Sequence, residues 1–599
     1  MTDVKKLITD NIDVWTSAIK KRNATGRGSN KKIELTGIKK LRELILELAV
    51  RGKLVPQDAS DEPASVLLRK IAKEKAQLIA DKKIKKQKAL PAITDKEKPF
   101  NIPKNWLFQR FGEVMYNRDG ERKPVSADER RGIQGQYDYY GASGVIDQVN
   151  DFLFDKTLLL IGEDGANLIS RSTPIAFLAH GKYWVNNHAH VLDGITTQFL
   201  EFIALHINAI SLEDYITGTA QPKMNQAKMN SIVIAIPPEA EQHRIVAKVD
   251  ELMALCDQLE QQTEQSLSAH QTLVEVLLAS LTSGTSTDVD NKEDLTATDG
   301  GNEGNAGAIS FQTSWQRIAE HFDVLFTTEA SIEQLKQTIL QLAVMGKLVP
   351  QNPNDEPASV LLEKIAEEKA QLTADKKIKK QKPLPVITDE EKPFELPTGW
   401  KFERLEKMTS LITKGSSPKW QGVSYTEDPT DVLFVTSENV GAFELKLDKR
   451  KFVEKKFNDV EPRSILQKHD FLMNIVGASI GRTATYNIDE LANINQAVCL
   501  IRTFPSLVCN KYFLTFFNSN ICISYMYDKQ VDNARPNLSM ANIAKFVIPI
   551  PPLAEQYRIV AKVDELMALC DQLKARLSDA QTTQLHLADT VVENALGIH

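Results

Sequence analysis

The sequence predicts an α+β protein: two α/β domains separated by long helices, the whole plan carried out twice as a pseudo-twofold internal repeat. Three observations predict it. Residues 41–106 and 335–400 align without a gap at a shift of 294, with 48 of 66 positions identical. A second pair, IPPEAEQHRIVAKVDELMALCDQL at 236–259 and IPPLAEQYRIVAKVDELMALCDQL at 550–573, repeats at a shift of 314. The stretches enclosed by these blocks, 107–235 and 401–549, are essentially unrelated, and the second is 20 residues longer. Duplication of one domain would not leave like flanks around such unlike middles.

Taken in order, residues 1–102 form a helical region. Ile38, Leu41, Ile45 and Leu48 recur at helical spacing, and Gly52 followed by Pro56 supplies a stop. Asp61 and Pro63 open a second helix carrying Val66, Leu67, Ile71 and Leu78, which dissolves into KKIKKQK. Residues 103–236 change period: TLLLIGEDG (157–165), PIAFLAHG (174–181) and HAHVLDG (188–194) read as short strands ended by glycine turns, and SIVIAIPP (231–238) as a closing strand. Residues 237–280 form a long helix with Ile245, Val249, Leu252, Cys256 and Leu259 on one stripe. Residues 281–309, rich in Gly, Ser, Thr, Asp and Asn, bury too little apolar surface to offset their ordering entropy and read as a mobile linker.

The second half follows suit. A helical region spans 310–396, and a second α/β domain spans 397–550, with strands expected in VLFVTS (432–437), FLMNIVGASIG (471–481), AVCLIRT (497–503) and FVIPIPP (546–552). A last helix spans 551–599, its stripe made of Ile559, Val563, Leu566, Cys570 and Leu573. Two such stripes invite the long helices to pack as an antiparallel coiled coil; the plainer alternative is that each faces its own domain.

The 599 residues are 42% hydrophobic and 25% charged, as in ordinary globular proteins. No apolar run suffices to span a membrane, and the N-terminus lacks the apolar core of a signal peptide. Five cysteines without paired C-x-x-C spacing argue against a disulfide framework or a zinc site and point to a reducing cytoplasm. The net charge of −6 argues against whole-chain, non-specific coating of DNA and permits DNA binding where cations are concentrated locally or other subunits supply much of the phosphate contact. Residues 103–236 carry 12 Lys and Arg against 15 Asp and Glu, and residues 397–550 carry 19 against 16, so neither domain is basic in bulk. The sequence holds no G-x-x-x-x-G-K-[ST] loop, no Asn/Asp-Pro-Pro-aromatic motif, no G-x-S-x-G elbow and no H-E-x-x-H helix. Triplets such as Glu454-Lys455-Lys456 lie in charged segments where they arise by chance.

The plan closely resembles that of the specificity subunits of type I restriction–modification enzymes, over nearly the whole chain outside the linker. The marks that carry the resemblance are IPPxxEQxRIVAKVDEL at the end of each unlike region, preceded by AQPKMN (220–225) or ARPNLS (534–539). LAVRGKLVPQ followed by DEPASVLL matches the subset with a long N-terminal conserved region. YYGASGVID (139–147), GEDGANL (162–168) and NNHAHVL (186–192) resemble phrases of its target-recognition domains, as do TKGSSP (413–418), GASIGRT (477–483) and NQA (495–497).

The resemblance implies a non-catalytic subunit whose helices form a rod between two target-recognition domains. Its implied partners are double-stranded DNA, two modification (methyltransferase) subunits and the restriction (translocase and nuclease) subunits. S-adenosylmethionine, ATP and Mg²⁺ would then sit on those partners, and no cofactor on this chain. Two different recognition domains imply a bipartite, asymmetric, gapped target, with the helices setting the gap and each domain the letters of its half. The alternative is a fused methyltransferase or nuclease with a divergent active site, against which the missing motifs weigh.

Base reading favours forked or bidentate side chains in loops and at strand ends. In the first domain the candidates are Tyr140, Ser143, Arg171, Asn187, His188, Gln221, Lys223 and Asn225. In the second they are Lys414, Ser416, Ser417, Lys419, Asn439, Arg482, Gln496, Arg535 and Asn537. For each, the plain alternative is a solvated or backbone-capping loop residue. Gly141, Gly144, Gly477 and Gly481 read as turn residues. His188 and His190 form H-x-H, but no Cys or carboxylate stands nearby at ligand spacing, so no metal is expected. Trp106 and Trp400 read as core anchors, and KKIKKQK at 82–88 and 376–382 as a solvated face or a phosphate contact.

Overall fold

The computed structural model describes residues 4–21, 33–218, 221–282, 313–528 and 538–597, which divide into two compact units. Unit 1 comprises Met1–Leu267 with Asp579–His599, and unit 2 comprises Ser268–Ser578. The linker expected over 281–309 falls outside the described residues except for its first two, which end a helix.

In unit 1 the expected helices are Thr36–Val50 and Ala64–Ala80. Ile38, Leu41, Ile45 and Leu48 are all buried, as their spacing requires. Gly52 ends this stretch at φ +66°, and a Cβ there would lie 2.6 Å from the Pro103 ring, so the stop needs glycine twice over. Strand Leu107–Arg110 then pairs antiparallel with Val233–Ile236, closing the variable region on itself.

Two four-stranded sheets lie between these ends. One runs Gly144–Val149, Gln134–Gly141, Lys182–Val185, Phe154–Asp155, and the pair 182–185 with 134–141 is parallel. The other runs Tyr116–Asn117, Ala189–Asp193, Leu158–Gly162, Ala176–Ala179, antiparallel throughout. Helix Thr197–Ala209 packs on Leu158–Gly162 and Ala176–Ala179, and Thr196 caps it by accepting from the Phe199 N–H. Strands buried on both faces read as continuous apolar runs, which is why 158–162 and 189–193 were visible in the sequence.

Unit 2 repeats this plan. Helices Glu329–Val344 and Ala358–Ala374 precede strand Lys401–Arg404, which pairs with Val547–Ile550. One sheet runs Leu411–Lys414, Val498–Arg502, Asp470–Asn474, Thr483–Tyr486. The other runs Tyr425–Thr426, Phe452–Val453, Val432–Val435, Ala492–Ile494, and again its pair 432–435 with 492–494 is parallel. The unlike sequences therefore share the antiparallel sheet and three strands of the other, but not its edge: Phe154–Asp155 flanks 182–185 in unit 1, and Tyr425–Thr426 flanks 452–453 in unit 2.

The repeated text has a repeated structural reason. Glu241 is fully buried and accepts from Trp106 Nε1 at 2.9 Å and from Gln57 Nε2. Glu555 accepts from Trp400 Nε1 at 3.0 Å and Gln351 Nε2 at 3.0 Å. Gln242 and Gln556 donate to the Pro237 and Pro551 carbonyls, each at 3.1 Å. Arg244 clamps Asp61 and Arg558 clamps Asp355, tying each long helix to its helical block. The E-Q-x-R core of the IPPxxEQxR phrase is thus a bracket joining helix, strand and block, and Trp106 and Trp400 are buried anchors.

The two long helices are Glu239–Thr282 and Leu553–Leu596. In unit 1 the stripe Ile245, Val249, Leu252, Cys256 and Leu259 shares one core with Leu41 and Ile45 and with Ala588, Ala595 and Leu596. In unit 2, Ile559, Val563 and Cys570 share a core with Ile339 and with Val274, Leu278 and Leu281. Within each unit the start of one long helix and the end of the other therefore contribute to one core. Each stripe also serves its own helical block, so both expected uses are present. All five cysteines are buried free thiols, and burial pushes the Cys256 thiol up to about 11.

Candidate nucleic-acid interface

Backbone hydrogen bonds draw the distinctive phrases of the first variable region to one place. Glu163 N–H donates to the His188 carbonyl at 2.8 Å, joining GEDG to NNHAH. Met224 N–H donates to the Glu163 carbonyl at 2.8 Å and Gly165 N–H to the Pro222 carbonyl at 3.0 Å, joining QPKMN to the same loop. Asn186 N–H donates to the Tyr140 carbonyl at 3.1 Å, bringing in the YYGASG hairpin.

The second region repeats this wiring with other residues. Ile475 N–H donates to the Ala497 carbonyl at 3.0 Å, Leu538 N–H to the Ile475 carbonyl at 3.0 Å, and Asn495 N–H to the Val435 carbonyl at 3.0 Å. Asn186 and Asn495 play one part: the side-chain oxygen of each accepts the N–H two residues on, from His188 at 2.8 Å and from Ala497 at 3.1 Å. This Asx turn pins the loop between a parallel strand and the central antiparallel strand. Asn225 and Ser539 also correspond, each capping a short helix by accepting from the N–H of Lys228 or Asn542. Gly415 lets the TKGSSP loop press on this junction, since a Cβ there would sit 1.9 Å from the Ile494 carbonyl oxygen.

The candidate side chains divide by what already engages them. Ser143, at the hairpin tip, and Asn187 and Gln221 are exposed, and their side chains have no partner among the described residues. Lys414, Lys419 and Arg482 are exposed and likewise without a side-chain partner among the described residues, while Gln496 is half-buried and unpaired. Lys223 is exposed but pairs with Glu163 at 3.1 Å. His188 is exposed, with Nδ1 2.9 Å from an Asp164 oxygen.

Others are held in place. Arg171 donates to the carbonyls of Asn208, at 3.0 Å, and Ile210, finishing the C-terminus of helix Thr197–Ala209. The Tyr140 ring stacks on Phe177 at 6.0 Å. Asn439 is 4% exposed; its oxygen accepts from the Thr436 N–H and hydroxyl, and its amide donates to the Lys446 and Lys449 carbonyls. Ser416 is buried and accepts from Gln421 at 2.9 Å, and Ser417 is half-buried beside it. Arg535 and Asn537 lie outside the described residues.

Charge at the first junction is balanced locally. Glu163 takes Arg122 at 2.9 Å and Lys223 on the other oxygen. Burial alone would raise its carboxyl, but Arg122, His190 and Lys223 outweigh that and hold it below its usual range. His190 is buried between Asp119, 2.7 Å from Nδ1, and the Met224 carbonyl, 3.0 Å from Nε2. The two histidines of H-x-H thus serve different carboxylates, and no cluster among the described residues has the make-up of a metal site. KKIKKQK follows the helix ends at Ala80 and Ala374, its lysines exposed.

Reasoning from residue type passed over Asp164, Arg122 and the two bracing asparagines. The recurrence of N-x-[HA] just before each central strand was the available signal. It also passed over Trp420, which is 74% exposed beside Lys419, where one tryptophan in a polar loop was the only hint.

The model of the family described as "Type I restriction modification DNA specificity domain" matches residues 103–269 and 397–580. The chain is 39% identical to the type I restriction enzyme EcoEI specificity subunit of Escherichia coli, over 99% of this chain and all of that one. It is 38% identical to the EcoAI specificity subunit of the same organism, with the same coverage. A crystal structure of the HsdS subunit from Thermoanaerobacter tengcongensis aligns with 84% of this chain and 98% of that one, at 15% identity and a TM-score of 0.34. Two matches to one domain model, inside a full-length likeness to two specificity subunits, establish that this chain belongs to the type I restriction–modification DNA specificity family.

Proposed function

We propose that this chain is the non-catalytic, DNA-reading subunit of a type I restriction–modification complex, and that its two variable regions each read one half of a bipartite, gapped target. The observation that carries this reading is the shared loop junction: the same backbone wiring in both units, presenting different side chains. A scaffold that bound only protein would gain nothing from diversifying those loops while keeping their frame. Because Asn187 and His188 stand where the second unit has Gln496 and Ala497, the two half-sites differ and the target is asymmetric.

The repeated helical blocks and brackets, nearly identical in both halves, suit two copies of one partner, so each half engages one modification subunit. Restriction subunits join that assembly, and S-adenosylmethionine, ATP and Mg²⁺ are bound by the partners. Among the described residues no helix is long and apolar enough to cross a membrane, and the complex works on DNA in the cytoplasm. With neither variable region basic in bulk, the modification subunits supply much of the phosphate contact.

The test is a methylation map of genomic DNA from a methylation-free host that expresses this chain with its modification subunit. A single two-part motif, present only when both chains are present, is the expected result. Methylation by this chain alone would restore the fused-enzyme alternative, and none from a stable complex would end the DNA-reading assignment.

A further inference from the structure

We infer that His188 reads a base bearing an exocyclic amino group in the first half-site, and that Asp164 acts as a positioning residue by choosing which hydrogen-bonding face His188 shows. The inference rests on the DNA-reading function proposed above and deepens it. His188 lies at the loop junction, half of its side chain exposed. Its Nδ1 is 2.9 and 3.0 Å from the two oxygens of Asp164. An ionised carboxylate only accepts, so Nδ1 carries the proton, and in the neutral ring Nε2 is left with a lone pair. Nε2 has no partner among the described residues and is the free end of the side chain. The His188 backbone is fixed at both sides: its N–H by the Asn186 side chain, and its carbonyl by the Glu163 N–H.

A fixed, lone-pair-bearing nitrogen selects a donor. In the major groove only adenine, through its 6-amino group, and cytosine, through its 4-amino group, present one. Guanine and thymine present acceptors at the corresponding edge and meet Nε2 with repulsion. The other half of the molecule lacks this device, since Ala497 takes the place of His188 and Ile475–Val476 that of Glu163–Asp164. The discrimination therefore belongs to the first half-site alone. Asp164 makes it a choice rather than a mere contact, because a partner that donated to Nδ1 would move the proton to Nε2 and invert the preference.

The experiment uses the complex of this chain with its modification subunits, at pH 8, on duplexes carrying the mapped target. Each adenine is replaced in turn by purine, which lacks the 6-amino group, and each cytosine by its analogue lacking the 4-amino group. The wild-type complex should lose about 5- to 150-fold in affinity at one position of the first half-site. His188→Ala should be indifferent to that loss while still discriminating at the other positions. Asp164→Leu, which can neither accept from nor donate to Nδ1, should release the tautomer and relax that same position, so that guanine or thymine is accepted beside the wild-type letter. If His188→Ala kept the wild-type sensitivity everywhere, the inference would be overturned. If Asp164→Leu copurified with the modification subunits and kept the wild-type letter alone, the positioning role would be overturned. Absence of any sequence preference in the wild-type complex would instead overturn the broader function.

Discussion

Asn439 and Asn187 carry the same amide, yet only one is free to meet a base. Asn439 makes four hydrogen bonds within its own loop, so Asn439→Ala should strand buried donors and carbonyls, at about 1–3 kcal/mol of unit 2 stability. Gln496→Ala, at a position without a side-chain partner among the described residues, should leave stability within about 0.5 kcal/mol and instead relax one letter of the second half-site. Denaturant unfolding and a methylation map of each variant separate these outcomes. Residue type alone could not tell the two asparagines apart, because burial is a property of the folded loop. The same holds for Arg171, which has the fork suited to guanine but spends it on a helix terminus. His206 makes a further prediction. It is fully buried, and burial pushes its imidazole down to about 3, far below the ordinary range. A depressed base leaves the unfolded chain binding more protons between about pH 3 and 6.5, so stability is whole above that window and falls as pH drops through it, by about 1.4 kcal/mol per unit. His206→Gln, which keeps an acceptor near the Ala235 N–H, should flatten unit 1 unfolding between pH 6.5 and 4. An equally steep pH dependence in that variant would assign the acid lability to other groups.

Elements were legible where burial imposes a pattern. The apolar runs gave away Leu158–Gly162, Ala189–Asp193, Val432–Val435 and Val498–Arg502, and the 3–4–3 spacing gave away Thr36–Val50. The hairpin of Gln134–Gly141 with Gly144–Val149 was not legible as strand, because its apolar residues follow no alternation: Val145 and Ile146 stand side by side and exposed, while Tyr139 and Val149 are buried. The likeness of the two variable regions was hidden for a related reason. A sheet asks its strands only for apolar bulk, and a loop junction wired through backbone amides asks almost nothing of its side chains beyond Asn186 and Asn495. The long helices allow a prediction at this scale. Inserting four residues into both Glu239–Thr282 and Leu553–Leu596, at exposed midpoints, lengthens each by about 6 Å with a rotation of about 40°. Methylation mapping should then show an altered gap, about one or two base pairs longer, with both sets of letters unchanged. Changed letters would mean that the helices take part in reading.

For the whole molecule, the repeated brackets make the two variable regions interchangeable in principle. Each region is closed by its own strand pair, Leu107–Arg110 with Val233–Ile236 and Lys401–Arg404 with Val547–Ile550, and the two flanks of each are joined to one another by the same Trp–Glu and Arg–Asp contacts. Residues 107–235 therefore carry what they need to fold and read, and the flanks at 401 and 549 offer the same anchors as those at 107 and 235. A chain in which residues 107–235 also replace 401–549 should fold, bind the modification subunits and assemble as before. On the proposed reading, the pseudo-twofold repeat of the sequence implies that the two readers address the duplex in opposite senses. The doubled chain should then methylate a palindromic motif, the first half-site followed by its own inverted copy, with the original gap. A direct repeat would contradict that proposed twofold relation. Retention of the second half-site would mean that the flanking helices, not the loop junctions, hold the letters.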